Sequence, residues 1–252
     1  MKKIYLYGIL ILVLVVIALN YGKLDNFVIK QLSENENYET GVVERIVDGD
    51  TIKINNESVR LLGINCPEKG EKYYSEAKEF LGKEILNESV EIHFGEDKYD
   101  LYGRKLGYIF YKNQNINSLV VKNGFANPYF PSGKNSYYPE FFSSWNECLE
   151  NELNLCEKSQ DKCSECIILK EWGTKNQLVI LKNTCDFSCD LTGWTIKDEG
   201  RKKFVFEKTI LEKNSIIEIS AQDFNETYVW TSSGDTIYIR DNQGKLVLWE
   251  NY

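Results

Sequence analysis

The chain has 252 residues, enough for more than one domain, and its contents of 42% hydrophobic and 27% charged residues are ordinary for a globular protein. Its formal net charge of −8 excludes a protein that holds duplex nucleic acid by a large basic surface, since such binding neutralises many phosphates. It does not exclude an enzyme that contacts phosphate at one small site.

The amino terminus carries an apolar run, Ile4 to Leu19, preceded by Lys2 and Lys3. The run is slightly short for a membrane span of about 17–25 residues and longer than a signal-peptide core of about 7–15 residues. No Ala-x-Ala cleavage pattern follows, so residues 1–22 are predicted to be an uncleaved anchor, with secretion after signal cleavage as the alternative. The preceding lysines favour a cytoplasmic amino end and place the rest of the chain outside.

Residues 41–155 form the first predicted folded unit, and residues 23–40 before it are predicted to be a polar tether. The pattern of apolar and turn residues predicts, in chain order, strands at 42–47, 51–54 and 58–64, a helix at 76–86 capped by Ser75, strands at 90–94 and 105–111, a helix at 116–123 ended by Gly124, and a helix at 138–153. About five strands with interposed helices indicate a small β-barrel rather than a parallel sheet.

Six of the seven cysteines lie in one central stretch, and Cys66 stands alone. The six are Cys148, Cys156, Cys163, Cys166, Cys185 and Cys189. They allow three disulfides in any of fifteen pairings, or a four-thiolate zinc site formed by a C-x-x-C and a C-x-x-x-C pair. Because the amino terminus predicts export to an oxidising compartment, disulfides are favoured over zinc. Residues 156–170 are predicted to be a cysteine-rich connector.

Residues 171–252 form a second predicted unit made almost entirely of strands. Its apolar runs lie at 178–181, 194–196, 203–206, 215–219, 236–239 and 246–249. Turn residues separate them at short intervals, which is typical of a β-sandwich. The predicted fold class of the whole chain is therefore mainly β with some α.

The candidate functional residues lie in four short fragments of the first unit, residues 47–51, 60–68, 71–77 and 100–104. Asp48-Gly49-Asp50-Thr51 is a hairpin turn by its composition, yet its two carboxylates are also suitable ligands for a hard cation. Arg60, in an apolar strand, needs an anion, and its planar fork suits phosphate oxygens. Glu68 follows Pro67 and could accept a proton from water near a metal. The fragments Glu71-Lys72-Tyr73 and Tyr102-Gly103-Arg104 are by themselves a helix start and a turn.

In order and spacing these fragments resemble the thermonuclease family, the staphylococcal-nuclease-like domains, over about Gly41 to Leu155. The resemblance implies a five-stranded OB-fold barrel with three helices. It also implies a calcium-dependent hydrolase, an endonuclease that cleaves DNA and RNA on the 5′ side of the phosphorus and leaves 3′-phosphorylated products.

The resemblance assigns a role to each candidate residue by its position. Asp50 would be the first calcium carboxylate, with Asp48 behind it as an outer-shell residue. Asn65 and the backbone carbonyl of Cys66 would complete the Ca²⁺ ligands. Arg60 and Arg104 would bind the phosphate and stabilise its transition state, and Glu68 would be the general base or orient the water. Tyr102 would line the nucleotide pocket.

Two of these positions depart from the family pattern. Asn65 stands where the family usually has an aspartate, so calcium should bind more weakly, because affinity follows ligand charge. Cys66 stands where a threonine usually offers its carbonyl, which survives any side chain, but a cysteine in an exported protein is open to oxidation. Arg60, Glu68 and Arg104 all remain, so activity with a higher metal requirement is expected.

A barrel that binds unpaired bases should cut single strands and RNA more readily than stable duplex. Tyr129 and Phe130 are candidate stacking residues, although hydrophobic loop anchors are as common in such a sequence. His93, between Ile92 and Phe94 in a predicted strand, is interpreted as a surface histidine.

The second unit resembles the lamin-tail domain over about Glu171 to Tyr252. The resemblance rests on Leu191-Thr192-Gly193-Trp194 and Gly234-Asp235-Thr236-Ile237. It implies an immunoglobulin-like β-sandwich that acts as a binding or positioning module for an unknown ligand. Trp194 and Trp230 are expected in its core, since a sandwich of this size needs large residues inside.

Two functions from different classes therefore compete. The leading one is a nuclease anchored in the membrane and facing outside the cytoplasm, with DNA and RNA as partners. The alternative is a catalytically silent nucleic-acid-binding or scaffolding protein that uses the barrel and the sandwich. Silent relatives typically lose an arginine or the glutamate, so retention of all three residues favours the enzyme.

Overall fold

The computed structural model describes residues 38–252, and all but the first two of these belong to one compact unit, Thr40–Tyr252. The predicted anchor at Ile4 to Leu19 lies outside these residues. Within residues 38–252, no helix is long and apolar enough to cross a membrane. The tether predicted for residues 23–40 overlaps the first strand, which already begins at Tyr38.

A closed five-stranded barrel forms the first part of the described chain. The strands of this part are β1 (Tyr38–Ile46), β2 (Thr51–Ile54), β3 (Glu57–Leu61), β4 (Gly63–Asn65), β5 (Ser89–Tyr99), β6 (Lys105–Tyr111), β7 (Gln114–Asn115) and β8 (Asn127–Tyr129). The sheet runs β3-β2-β1-β5-β6, and β3 also pairs in parallel with β6, which closes the barrel. The predicted OB-type barrel is confirmed.

The register of the barrel gathers three of the candidate fragments. Thr51 of β2 lies opposite Arg60 of β3, and Arg60 lies opposite Leu106 of β6. The start of β2, the end of β3 and the start of β6 therefore lie side by side. Asp50 and Arg104, which directly precede β2 and β6, reach the same end of the barrel.

Three helices pack on the barrel: α1 (Tyr74–Ile85), α2 (Ile116–Lys122) and α3 (Tyr138–Glu150). Helix α1 buries Ala77, Leu81 and Ile85, which are spaced four residues apart and so share one face. The predicted cap at Ser75 is wrong. The helix begins at Tyr74, after a left-handed Tyr73 whose carbonyl accepts the Ala77 amide, and no side chain caps it.

The ends of the other two helices follow from local backbone geometry. Helix α2 ends as predicted before Gly124, whose φ of +69° is left-handed and whose added Cβ would lie 2.1 Å from the Leu153 carbonyl oxygen. Helix α3 ends at Glu150, three residues earlier than predicted, because Glu152 and Asn154 are left-handed. That turn brings Cys156 back to Cys148.

The second part of the chain is a sandwich of short strands. They are β9 (Ile167–Gly173), β10 (Leu178–Asn183), β11 (Cys189–Asp190), β12 (Thr195–Lys197), β13 (Lys203–Val205), β14 (Ile210–Leu211), β15 (Ile216–Ser220), β16 (Thr236–Arg240) and β17 (Leu246–Asn251). They form the sheets β15-β10-β9 and β13-β12-β16-β17 and the short pair β11-β14. Trp194 and Trp230 are buried in the core, as expected for an immunoglobulin-like sandwich.

An apolar interface joins the sandwich to the barrel. Trp145 of α3 lies edge-on to Tyr238 of β16 and Trp249 of β17, at centroid distances of 5.6 and 6.0 Å. Tyr238 and Leu246 belong to the same buried cluster as the barrel core. Large aromatic side chains dominate the energetics of such interfaces, so these contacts contribute to holding the two parts of Thr40–Tyr252 together.

The six clustered cysteines are paired as Cys148–Cys156, Cys163–Cys189 and Cys166–Cys185. This pairing agrees with the disulfides favoured from sequence. The zinc alternative has a geometric basis as well, because the sulfurs of Cys163, Cys185 and Cys189 all lie within 4.8 Å of one another. Strand β9 begins inside the predicted connector.

Candidate active site

The tight turn between β1 and β2 presents two carboxylates. Asp50 is 8% exposed, and its carboxylate accepts hydrogen bonds from the Thr51 hydroxyl at 3.1 Å and the Cys66 amide at 3.2 Å. The Asp48 carboxylate accepts the Asp50 amide at 3.2 Å. Burial and the nearby Asp50 carboxylate raise the pKa of Asp48. A bound cation would counteract this rise in the pKa, since it favours the charged form of each carboxylate.

Arg60 lies directly against Asp50. Its Nη2 atom is 3.0 Å from Asp50 Oδ2, and the side chains of both residues are about nine-tenths buried. The guanidinium also donates to the carbonyl oxygens of Leu61 and Ile64, at 2.5 and 3.0 Å. The structure thus brings together two of the predicted site residues and holds the arginine in one orientation.

The turn between β1 and β2 packs tightly on Cys66, and this contact explains why residue 49 is a glycine. A Cβ added at Gly49 would lie 2.8 Å from Cys66 Sγ and from Ala77 Cβ, so no larger residue fits there without displacing them. Cys66 is a buried free thiol, and burial raises its pKa well above the ordinary value. The expected susceptibility of Cys66 to oxidation is therefore small, because oxidation follows thiolate character and exposure.

Asn65 does more than its sequence position predicts. The side chain is buried at the end of β4, and its Nδ2 donates to the carbonyl oxygens of Glu199 and Gly200, at 3.2 and 2.6 Å. Both acceptors lie in the 198–202 loop, which joins β12 and β13 of the sandwich. An aspartate here could not donate these bonds. The amide that departs from the family pattern thus holds the sandwich against the barrel.

Glu68 also contacts the sandwich. Its Oε1 atom lies 2.9 Å from Nε of Arg201, in the same 198–202 loop, and both side chains are largely exposed. The Glu68 amide donates to the Glu71 carboxylate at 3.0 Å, and Glu71 pairs with Lys203 at 2.8 Å and with Lys197 at 3.7 Å. Glu71 therefore fixes the Glu68 loop to the β12–β13 hairpin.

Arg104 is oriented by a residue that had no predicted role. Asp100 accepts the Arg104 Nε at 2.6 Å and the amides of Tyr102 and Arg104 at 2.9 and 2.8 Å. Desolvation raises the pKa of Asp100, but these hydrogen bonds and the Arg104 charge outweigh it and leave the pKa below its ordinary value. Tyr102 is 86% exposed, with its ring 5.7 Å from the Arg104 guanidinium carbon.

The two candidate stacking residues have different environments. Tyr129 of β8 is half-buried, and an added Cβ on Gly200 would lie 3.5 Å from its ring, so the 198–202 loop passes over it. Phe130 is buried between Tyr138 and Phe141 and is a core residue. Stacking of a base on Phe130 is therefore excluded in this conformation. His93 is partly buried, with its ring 3.0 Å from the Glu91 carboxylate.

The 198–202 loop brings little negative charge to the site. Burial, reinforced by the Asp235 carboxylate, raises the pKa of Asp198 to about 7 and that of Glu199 to about 8. Glu199 accepts the Phe130 amide at 3.3 Å. At neutral pH Glu199 is therefore mostly protonated and Asp198 about half protonated, so their combined negative charge repels an approaching phosphate less than two ionised carboxylates would.

The donor set around the turn fits a hard cation. The Asp48 and Asp50 carboxylates, the Asn65 side-chain oxygen and the Cys66 carbonyl are all oxygen donors, which calcium prefers. The Asn65 Oδ1 accepts no hydrogen bond from residues 38–252, while its amide nitrogen is fixed by the loop. The Asn65 side chain can therefore hold the 198–202 loop through its nitrogen and offer its oxygen to a cation.

Sequence reasoning gave no individual role to two residues that contact the predicted catalytic side chains. Asp100 could have been found, because an Asp two residues before a Tyr-Gly turn commonly accepts amides of that turn. Arg201 carried no signal in the sequence, since it lies far from Glu68 along the chain in a charged loop.

Comparison with known proteins identifies both parts of the chain. The family model "Staphylococcal nuclease homologue" matches residues 58–158, and "Lamin Tail Domain" matches residues 165–252. A thermonuclease of Staphylococcus intermedius is 29% identical over 169 residues, which cover 63% of this chain and 100% of the relative. An uncharacterised protein of Methanocaldococcus jannaschii is 33% identical over 46% of this chain and 70% of its own length. A micrococcal nuclease of Shigella flexneri is 36% identical over 37% of this chain and 60% of its own length.

Proposed function

The chain belongs to the staphylococcal nuclease homologue family and is a phosphodiester-hydrolysing nuclease, and we propose that it uses Ca²⁺ to cleave DNA and RNA to 3′-phosphorylated products. The observation that supports the proposal best is the buried pair of Asp50 and Arg60 beside the Cys66 amide. It joins a carboxylate suited to calcium and a guanidinium suited to phosphate in one place.

Each residue of the site has a defined task in the proposed reaction. Arg60 and Arg104 offer planar donors to the phosphate oxygens, where negative charge increases as the phosphorus passes through five-coordination. Glu68 accepts a proton from the attacking water at a carboxylate oxygen. Asp50, Asn65 and the Cys66 carbonyl would hold the calcium, with Asp48 behind them, and the ion when bound supplies Lewis-acid stabilisation of the same charge.

Two further parts of the proposal concern substrate and location. Single strands of DNA and RNA are the preferred substrates, because an OB-type barrel binds unpaired bases. The apolar segment at Ile4 to Leu19 supports a membrane tether, and the three disulfides support an oxidising compartment outside the cytoplasm. Protease accessibility of the folded part in intact cells tests this placement.

Removal of calcium should abolish cleavage by the full-length chain. With labelled single-stranded DNA and RNA, we expect the initial rate to fall by at least about 100-fold in chelator, because the phosphate charge loses its cation. The products should carry 3′-phosphates, seen as a mobility shift after phosphatase treatment. Equal rates in calcium and in chelator, or 3′-hydroxyl products, would contradict the proposal. Binding without cleavage would favour a silent nucleic-acid-binding protein.

Asn65→Asp should lower stability without calcium. The change removes two donated hydrogen bonds and places a carboxylate against the Glu199 and Gly200 carbonyls, so the free energy of unfolding should fall by about 2–4 kcal/mol in chelator. Calcium should restore part of this loss, and the calcium concentration for half-maximal activity should fall. Denaturant unfolding with and without calcium measures the effect, with the exposed Asn87→Asp as control. An equal loss with and without calcium would show that position 65 is not a ligand.

A further inference from the structure

The sandwich domain contributes a hairpin to the edge of the nuclease site. Strands β12 and β13 flank the 198–202 loop, and Lys197 and Lys203 at their ends pair with Glu71. Asn65 donates to two carbonyls of the loop. The 198–202 loop and its flanking strands are thus attached to the barrel through Asn65 and Glu71, which lie before and after Glu68 in the sequence. Its placement follows from specific polar contacts as well as from the apolar interface around Trp145.

Arg201 is the one side chain of this loop that reaches a proposed catalytic residue. Its Nε lies 2.9 Å from Glu68 Oε1, and its side chain is 68% exposed. Glu68 is its only ion-pair partner within residues 38–252, and its terminal nitrogens donate no hydrogen bond to those residues. An exposed ion pair of this kind contributes little to stability. A contribution to stability therefore does not explain why an arginine stands at position 201.

A phosphate of the substrate is the group that suits these terminal nitrogens. If Glu68 contacts the attacking water, the scissile phosphorus lies about 3 Å beyond that water. Successive phosphates of one strand are separated by a single sugar, so the next negative charge lies one nucleotide from the scissile phosphate. The Arg201 guanidinium, in contact with Glu68, is within reach of that charge, and its terminal nitrogens suit a two-point contact to phosphate.

We propose that Arg201 is a substrate-binding residue supplied by the lamin-tail domain, which holds the phosphate adjacent to the one that is cleaved. The proposal rests on the proposed nuclease function. It gives the sandwich a direct part in substrate binding: the second domain completes the nucleic-acid site of the first. Arg60 and Arg104 remain the ligands of the scissile phosphate.

The test compares full-length wild type, Arg201→Gln, Arg201→Lys and the control Lys208→Gln, which changes an exposed cation elsewhere on the sandwich. Initial rates with a single-stranded oligonucleotide at several salt concentrations give kcat, KM and the salt dependence. We expect Arg201→Gln to raise KM about tenfold with kcat within threefold of wild type. The slope of log(kcat/KM) against log salt should fall by about 0.7, the value for one contact to a single strand. Arg201→Lys should recover part of the KM, and Lys208→Gln should match wild type.

A second substrate sharpens the assignment to the adjacent phosphate. With a dinucleoside monophosphate, which has only the scissile phosphate, wild type and Arg201→Gln should have equal KM. Unchanged KM and salt slope on the oligonucleotide would overturn the proposal. A loss confined to kcat would also overturn the proposal, because Arg201 would then only orient Glu68. A gain in activity would overturn it as well, because it would show that the contact between Arg201 and Glu68 is inhibitory.

Failure of the nuclease function itself gives a different result. If the wild type cleaves nothing, fluorescence anisotropy of the oligonucleotide in chelator still reports binding. A smaller salt slope for Arg201→Gln in that measurement supports the phosphate contact, and an equal slope rejects it. Thermal unfolding of each variant checks that it is folded. If Arg201→Gln is not folded, Arg201→Lys replaces it in the comparison with wild type.

Discussion

Glu68→Gln is expected to lower kcat by about 10³-fold, because glutamine keeps the shape of the side chain but cannot accept the proton of the attacking water. Glu68 is exposed, and the one ion pair it forms within residues 38–252, to Arg201, lies at the surface. The variant should therefore unfold within about 1 kcal/mol of wild type. Single-turnover cleavage of a labelled oligonucleotide in saturating calcium measures the loss.

The control for this variant is Glu79→Gln, which changes an exposed carboxylate on α1 of the same domain and should leave kcat unchanged. A Glu68→Gln rate within tenfold of wild type would show that another group activates the water. The barrel would then still be a nuclease, with its general base elsewhere.

Arg60→Gln is expected to affect both stability and activity. The Asp50 carboxylate would lose its guanidinium partner at a site that is about nine-tenths buried. Breaking a buried ion pair from one side costs about 3–5 kcal/mol, because the remaining charge is uncompensated. Loss of a fixed phosphate donor should also lower kcat/KM by about 10³-fold or more.

Calcium separates the two effects of Arg60→Gln. A bound dication should restore part of the free energy of unfolding, since it binds the folded state beside Asp50. It should not restore cleavage, because the phosphate still lacks its donor. Denaturant unfolding and kcat/KM are measured with and without calcium, and Arg45→Gln, an exposed change in β1, is the control. Full recovery of cleavage by calcium would mean that Arg60 acts only by supporting Asp50.

Local patterns were enough to predict much of the fold. Apolar alternation and turn residues located most strands of the barrel, and Gly124 marked the end of α2, because these signals act within a few residues. The cap of α1 and the end of α3 were mispredicted. In both cases a left-handed residue, Tyr73 or Glu152, sets the boundary, and neither residue type signals that conformation.

The order and spacing of Asp50, Arg60, Glu68 and Arg104 carried the resemblance from which their roles are predicted. Of these residues, the strand register brings Asp50 to Arg60. The role of Asp100 depends on a turn only four residues long, so it too was within reach of sequence reasoning. Phe130 was ambiguous from sequence and is buried by α3.

The sequence by itself therefore determined the kind of fold and the nuclease class, because both follow from residue type and short-range order. Only the tertiary structure decided what Asn65 and Arg201 do. Each acts across the interface between barrel and sandwich, where residues more than 130 positions apart are in contact. Sequence periodicity carries no information about such contacts. They arise when two domains dock, and the buried aromatic side chains around Trp145 determine how these two dock.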